Sequence, residues 1–225
     1  MLLGEDDSFI TYIYLKKRRD IMKKTNNKGF SLVELIIVIA IMAILAGAIA
    51  PALIRYIDKS RKSNDVSAAK TIKTSVETAL GNETIYEYLT AAANADGVFI
   101  EIVPGKKTSS GSGSGATACV LIADGQIAST YEAPEGKDAA AVKKLTQEEI
   151  ATNIGESTPK LKFKKAADDN TTNKVPERFY VVVSPKGSVV VYIAYSGVAT
   201  SAALVADTVD DGIYQMCPTL CDEYQ

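Results

Sequence analysis

Histidine is missing from all 225 residues, which removes Ser-His-Asp and Cys-His catalysis and the usual zinc sites together. Cysteine is scarce: Cys119, Cys217 and Cys221 are too few for a disulfide framework, and in an exported protein they permit one bridge with one thiol left over. No Gly-rich phosphate loop, nucleophile elbow or pair of catalytic carboxylates can be found. No enzyme activity, cofactor or metal centre is therefore expected. Excess charge is also lacking, since the formal net charge is −2. The part after residue 29 is mildly acidic, which leaves no electrostatic footprint for nucleic acid.

What the chain does have is one long apolar run. From Leu35 to Ile54 no residue is charged, and as a helix this stretch is about 30 Å long, enough to cross the hydrocarbon of a bilayer. Glu34 stands immediately before it, preceded by Gly29-Phe30-Ser31-Leu32-Val33 and by the basic residues Lys23, Lys24 and Lys28. A chain of this length accommodates one domain plus a membrane segment, or at most two small domains. Residues 1–29 carry seven Lys or Arg against four Asp or Glu, a basic flank that predicts a cytoplasmic N-terminus.

Several ordinary explanations of the run are weak. Ala48-Ile49-Ala50 has the form of a secretory cleavage site, but the cut would fall before Pro51 and inside the apolar run. No cysteine follows Leu45-Ala46-Gly47-Ala48, which argues against a lipoprotein signal. A buried core helix would be shorter and less uniformly apolar. A plain signal anchor has no use for an acid at its mouth, because an unpaired carboxylate bordering hydrocarbon costs several kcal/mol.

Lys28-Gly29-Phe30-Ser31-Leu32-Val33-Glu34 resembles the class III signal of type IV pilins and pseudopilins, and the likeness extends from about Lys23 to Leu80. The resemblance implies cleavage after Gly29 by a prepilin peptidase and N-methylation of the new terminus at Phe30. It also implies an assembly role for Glu34, which would be neutralised by the α-amino group of a neighbouring subunit's Phe30. Pro51 matches a proline that many pilins carry in this helix. Lacking an amide hydrogen and crowding the carbonyl of Gly47, it is expected to break or weaken the helix between these two residues. Implied partners are further copies of the chain in a helical homopolymer, the peptidase, an assembly platform with minor pilins, and the cytoplasmic membrane before assembly. The same resemblance admits a pseudopilin of a type II secretion or DNA-uptake system. From a different class, the alternative is a membrane-anchored extracytoplasmic binding domain.

The expected fold is α+β: a long N-terminal helix, half transmembrane and half amphipathic, packed on a C-terminal antiparallel sheet. Residues 1–29 read as a leader, of which 1–21 look like a misplaced start ahead of Met22. Residues 30–54 read as the transmembrane or filament-core helix, 55–95 as an amphipathic helix plus a short second one, and 96–225 as a β-rich extracytoplasmic head. The helix should run from Phe30 to Leu80, with Ile57, Ala68 or Ala69, Ile72, Val76 and Ala79 or Leu80 on its buried face. Glu83–Ala93 follows as a second helix with Ile85, Leu89 and Ala92 on one side.

Gly97–Val103 reads as a strand and Lys106–Gly115 as a low-complexity surface loop. Ala118–Ala123 reads as a strand that turns at Asp124-Gly125 into a return strand over Gln126–Glu132. Thr146-Gln147-Glu148-Glu149 has capping-box form and should open a helix ending near Gly155. Lys160–Asn173 is polar and looped. Arg178–Val183 and Ser188–Tyr195, joined by Ser184-Pro185-Lys186-Gly187, form a hairpin at the centre of the sheet. The tail from Ser196 is irregular with one edge strand.

By the pilin resemblance a bridge from Cys119 to Cys217 or Cys221 would staple the tail to the sheet. Direct Cys217–Cys221 closure and buried thiols are the competing readings. Asp207, Asp210 and Asp211 lie where major pseudopilins bind Ca²⁺, but their spacing is not a calcium loop and a solvated turn suits them better.

Overall fold

A computed structural model of the chain describes residues 29–105, 119–155, 158–164, 175–198 and 212–224. The leader, the 106–115 loop and Asp207, Asp210 and Asp211 lie outside the described residues. Two compact units divide the chain, Met1–Ala52 and Leu53–Gln225. Helix α1, Leu32–Ala79 over 48 residues, belongs to both. It is followed by a five-stranded antiparallel sheet, so the architecture is α+β and pilin-like.

In the first unit α1 is apolar all round, and none of its hydrophobic window is buried. The second unit begins with the one-faced part of α1. There Asp65, Ala69, Ile72, Val76 and Ala79 are buried at steps of four and three, the spacing of a single helix face. Ile57, expected on that face, is instead 39% exposed. Asp65 fills the gap that periodicity left between Ile57 and Ala69, and a carboxylate there cannot be detected as a core position by its polarity. The helix stops where Gly81-Asn82 interrupts it. Asn82 then caps α2 (Glu83–Thr90) through its Oδ1, which accepts from the Thr84 N–H at 3.1 Å. Ile85, Tyr88 and Leu89 of α2 are buried.

Strands β1 (Val98–Ile102), β2 (Val120–Ile122), β3 (Arg178–Val183), β4 (Val189–Ala194) and β5 (Tyr214–Cys217) lie in the order β2-β1-β3-β4-β5, all pairs antiparallel. The β3–β4 hairpin is central, as its β-branched arms require. On one face Val98, Ile100, Ile102, Phe179, Val181 and Ile193 share a core with Ile72 and Val76 of α1. On the other face Phe99, Tyr180, Val182, Tyr192 and Ala194 form a second cluster with Val198 and Ile213. Burial on both faces explains why Val98–Ile102 alternates so weakly in sequence: neither side of the strand needs polar residues. Glu101 is held in that second layer by an ion pair with Arg178, and the Tyr180 hydroxyl donates to the Tyr195 carbonyl at 2.9 Å.

Two expected elements need correction. The return strand over Gln126–Glu132 does not form; Ile127 makes a single bridge to Ala92. The Gln126 amide takes its place beside β1, accepting from Phe99 N–H at 2.5 Å and donating to Phe99 C=O at 2.9 Å. One side chain thereby supplies the pair of bonds that the next residue of β2 would have made. The other correction concerns α3, which spans Ala139–Ile154 and is capped by Asp138, whose Oδ1 accepts from Ala141 N–H at 2.6 Å. Ala139-Ala140-Ala141 are strong helix formers, so the helix starts seven residues before Thr146. Thr146 is buried in mid-helix with its hydroxyl turned back to the Val142 carbonyl at 2.9 Å.

The buried Asp65 carboxylate has a defined task. Its Oδ1 accepts from Lys162 N–H and its Oδ2 from Phe163 N–H, both at 2.8 Å, fastening residues 158–164 to α1. Leu161 and Phe163 of that segment, expected to be plain loop, are buried as a result. Burial pushes the Asp65 carboxyl above its ordinary value, against the two amides that favour its charge. Asp65→Asn leaves one amide facing an NH₂ and is expected to cost about 1–3 kcal/mol in urea unfolding. The exposed Asp58→Asn should stay within about 0.5 kcal/mol. Because the folded value is raised, proton binding at Asp65 favours the fold. That contribution is complete below the unfolded carboxylate range and lost as pH rises through the folded value. Unfolding measured across this window should show the dependence in the wild type and lack it in Asp65→Asn.

Candidate assembly site at the start of the apolar helix

Ser31 is the last residue before α1, and its carbonyl accepts the first helical bond, from Leu35 N–H at 3.2 Å. Glu34 reaches back, its Oε2 accepting from the Ser31 N–H at 2.9 Å. This is the acid's half of a capping box, Ser31-x-x-Glu34, and it satisfies an amide that the helix itself leaves without a partner. The spacing is written in the sequence, where Glu34 reads as a charge at the mouth of the apolar run; the structure shows that it is also a cap. A carboxylate in the first turn also meets the positive end of the helix dipole.

The residues around the site are uncovered. Phe30 is 89% exposed and Glu34 is exposed. A Cβ built on Gly29 would meet nothing within 4 Å, so the fold makes no demand for glycine at that position. The same is true of Gly47. Helix α1 runs without interruption past Gly47 and through Pro51. The break expected there is thus not an interruption; what Pro51 removes is one N–H, leaving the Gly47 carbonyl without its helical donor.

The cysteines are not all brought together. Cys119 directly precedes β2 and Cys217 ends β5, at opposite edges of the sheet. Four strand spacings separate these edges, about 19 Å, whereas a bridge requires α-carbons within about 7 Å. The Cys119–Cys217 staple is therefore excluded by strand order. Cys217 and Cys221 share the tail, where the Cys221 N–H donates to the Gln215 carbonyl at 3.0 Å. Burial raises the Cys217 thiol above its ordinary value. Among the described residues no group of three His, Cys, Asp or Glu could hold a metal ion.

The prokaryotic N-terminal methylation motif matches residues 24–50. The chain thus carries the class III prepilin signal motif of type IV pilins, laid over the Gly29–Glu34 site and most of the apolar run. No curated protein and no solved structure matches the chain.

Non-reducing peptide mapping of exported protein is expected to recover no peptide joining Cys119 to Cys217, because β2 and β5 lie at opposite edges of the sheet. A peptide joining Cys119 to Cys217 would contradict the sheet order.

Proposed function

We propose that the chain is the precursor of a type IV pilus-like structural subunit, cut after Gly29, N-methylated at Phe30 and polymerised through its N-terminal helix. The observation that carries this reading is the coincidence of the methylation motif with a helical stretch, Leu35–Ile54, that is apolar on every side and exposed throughout. Such a helix has two stable environments: lipid, or a bundle of its own copies. A subunit that meets a different surface of the next copy builds an open helical polymer, which suits the second.

Gly29 fits the role of a recognition residue, since nothing in the fold otherwise calls for it. The acid of the site then has two successive partners. In the precursor Glu34 is satisfied by the Ser31 amide and closes the first turn of α1. Cleavage creates a positive α-amino group on Phe30, and on assembly the carboxylate is reached by the amine of an adjacent subunit. The capping bond holds the carboxylate at the helix entrance, where the incoming amine arrives, so cap and charge serve one geometry. Pro51 supports extension of the helix during the passage from bilayer to filament, because the bond it lacks is the one that would resist stretching near Gly47.

Mature protein is expected to begin at Phe30, carrying one added methyl group, by N-terminal mass spectrometry of membrane or filament material. Gly29→Val should leave the leader in place. A mature start at Pro51 would overturn the reading.

Two substitutions at Glu34 separate the cap from the charge. Glu34→Gln preserves the capping geometry and removes the charge; Glu34→Leu removes both. If charge pairing drives assembly, both should be exported and cleaved and neither should form filaments as the sole copy. Leaving the buried amine unpaired costs on the order of 3–5 kcal/mol, more than two decades in an equilibrium constant. Filaments from Glu34→Gln at wild-type yield, by negative-stain microscopy, would reduce Glu34 to a helix cap.

A further inference from the structure

The second end of the apolar run carries its own constellation. Leu35–Ile54 matches the hydrocarbon thickness, and the headgroup region adds about 5–7 Å on each side, which a helix crosses in about four or five residues. The residues that fall in that outer layer are Arg55, Tyr56, Ile57, Asp58 and Lys59. Tyr56 is 73% exposed, and an amphipathic ring at headgroup depth is the usual place for tyrosine. Arg55 and Lys59 are exposed, and neither has an ion-pair partner among the described residues. Asp58, the only acid of this stretch, faces Arg61 at 3.7 Å.

Steps of four and three place Arg55, Lys59 and Lys62 on one stripe of α1. Lys62 is engaged by the head itself: its Nζ lies 4.9 Å from the Phe163 ring centre and 5.8 Å from that of Tyr224. The head thus takes up the third cation of the stripe, while the two nearest the apolar run point to no protein group. Cations directly outside an apolar span are unfavourable for export, so their presence there calls for a compensating interaction.

We infer that Arg55 and Lys59, with Tyr56 beside them, bind the phosphate of anionic lipid headgroups in the outward leaflet and set the depth at which the subunit is held before assembly. This rests on the membrane-spanning reading of α1. The ligand chemistry is a phosphate monoanion at headgroup depth. Lipid is favoured over free phosphate because the register of the apolar run puts both cations in that layer. Each cation near an anionic surface strengthens association about fivefold, so the pair amounts to about 25-fold. Screening should weaken the preference as salt is raised.

The test uses the full chain and Arg55→Gln/Lys59→Gln, reconstituted into phosphatidylcholine vesicles containing a minor fraction of phosphatidylglycerol. Insertion is read by co-sedimentation after a carbonate wash, and bound lipid by native mass spectrometry. Both proteins should insert equally and unfold alike in urea. The wild type should retain phosphatidylglycerol over phosphatidylcholine with odds about 25-fold above those of the double variant, since the basic residues of 1–29 contribute equally to both. Millimolar inorganic phosphate should not compete. Equal retention by the two inserted proteins would overturn the inference, and displacement by inorganic phosphate would replace the lipid with a free anion. A double variant that keeps its lipid but loses filament yield would assign the two cations to a neighbouring subunit. If the wild type fails to sediment with vesicles, the spanning reading itself fails.

Discussion

Backbone amides in hydrocarbon have no water to bond, so an apolar run must satisfy every N–H and C=O inside its own helix. Twenty uncharged residues starting at Leu35 meet that demand through α1, and most other features of the chain follow from how the helix begins, continues and changes surroundings. Its first amides are the weak point, because a helix start leaves N–H groups without partners. Ser31 and Glu34 close that gap at the border of the run. Pro51 opens a smaller one within it, at the carbonyl of Gly47, and the helix continues past it because one missing bond does not unwind its neighbours.

Beyond the run the same helix becomes one-faced, and one stripe of it is buried in protein. The buried stripe that starts at Asp65 and ends at Ala79 packs into a core with β1, β3 and β4. A charged residue at the head of that stripe would be a liability if its oxygens were idle. Here both accept backbone amides of the 158–164 segment, so the carboxylate serves as an acceptor for N–H groups that would otherwise be buried without one. Gln126 performs a similar service at β1, and Asp138 at the start of α3. In each case a polar side chain finishes a hydrogen-bond pattern that regular structure leaves incomplete.

The capping bond gives Glu34, at the border of the apolar run, a partner within its own chain: the Ser31 amide fixes the geometry of the carboxylate. The prokaryotic methylation motif covers this site and ends at residue 50.

The sequence by itself determined the elements whose signals are local. Twenty uncharged residues specify a helix of bilayer length, β-branched arms around Ser184-Pro185-Lys186-Gly187 specify the central hairpin, and Gly81-Asn82 specifies the end of α1. The Gly29-Phe30-Ser31-Leu32-Val33-Glu34 motif was legible for the same reason, since its chemistry is contained in six consecutive residues. Only the tertiary structure decided what depends on distant partners. Asp65 looks like a surface acid until Lys162 and Phe163 arrive from 97 and 98 residues away. Cys119 and Cys217 look like a pair until strand order places them at opposite edges. The Gln126 segment looks like a strand until one side chain makes the ladder bonds in its place. Periodicity reports whether a position is apolar; it carries no record of which backbone amide, from far along the chain, will be waiting for a carboxylate or an amide to bond it.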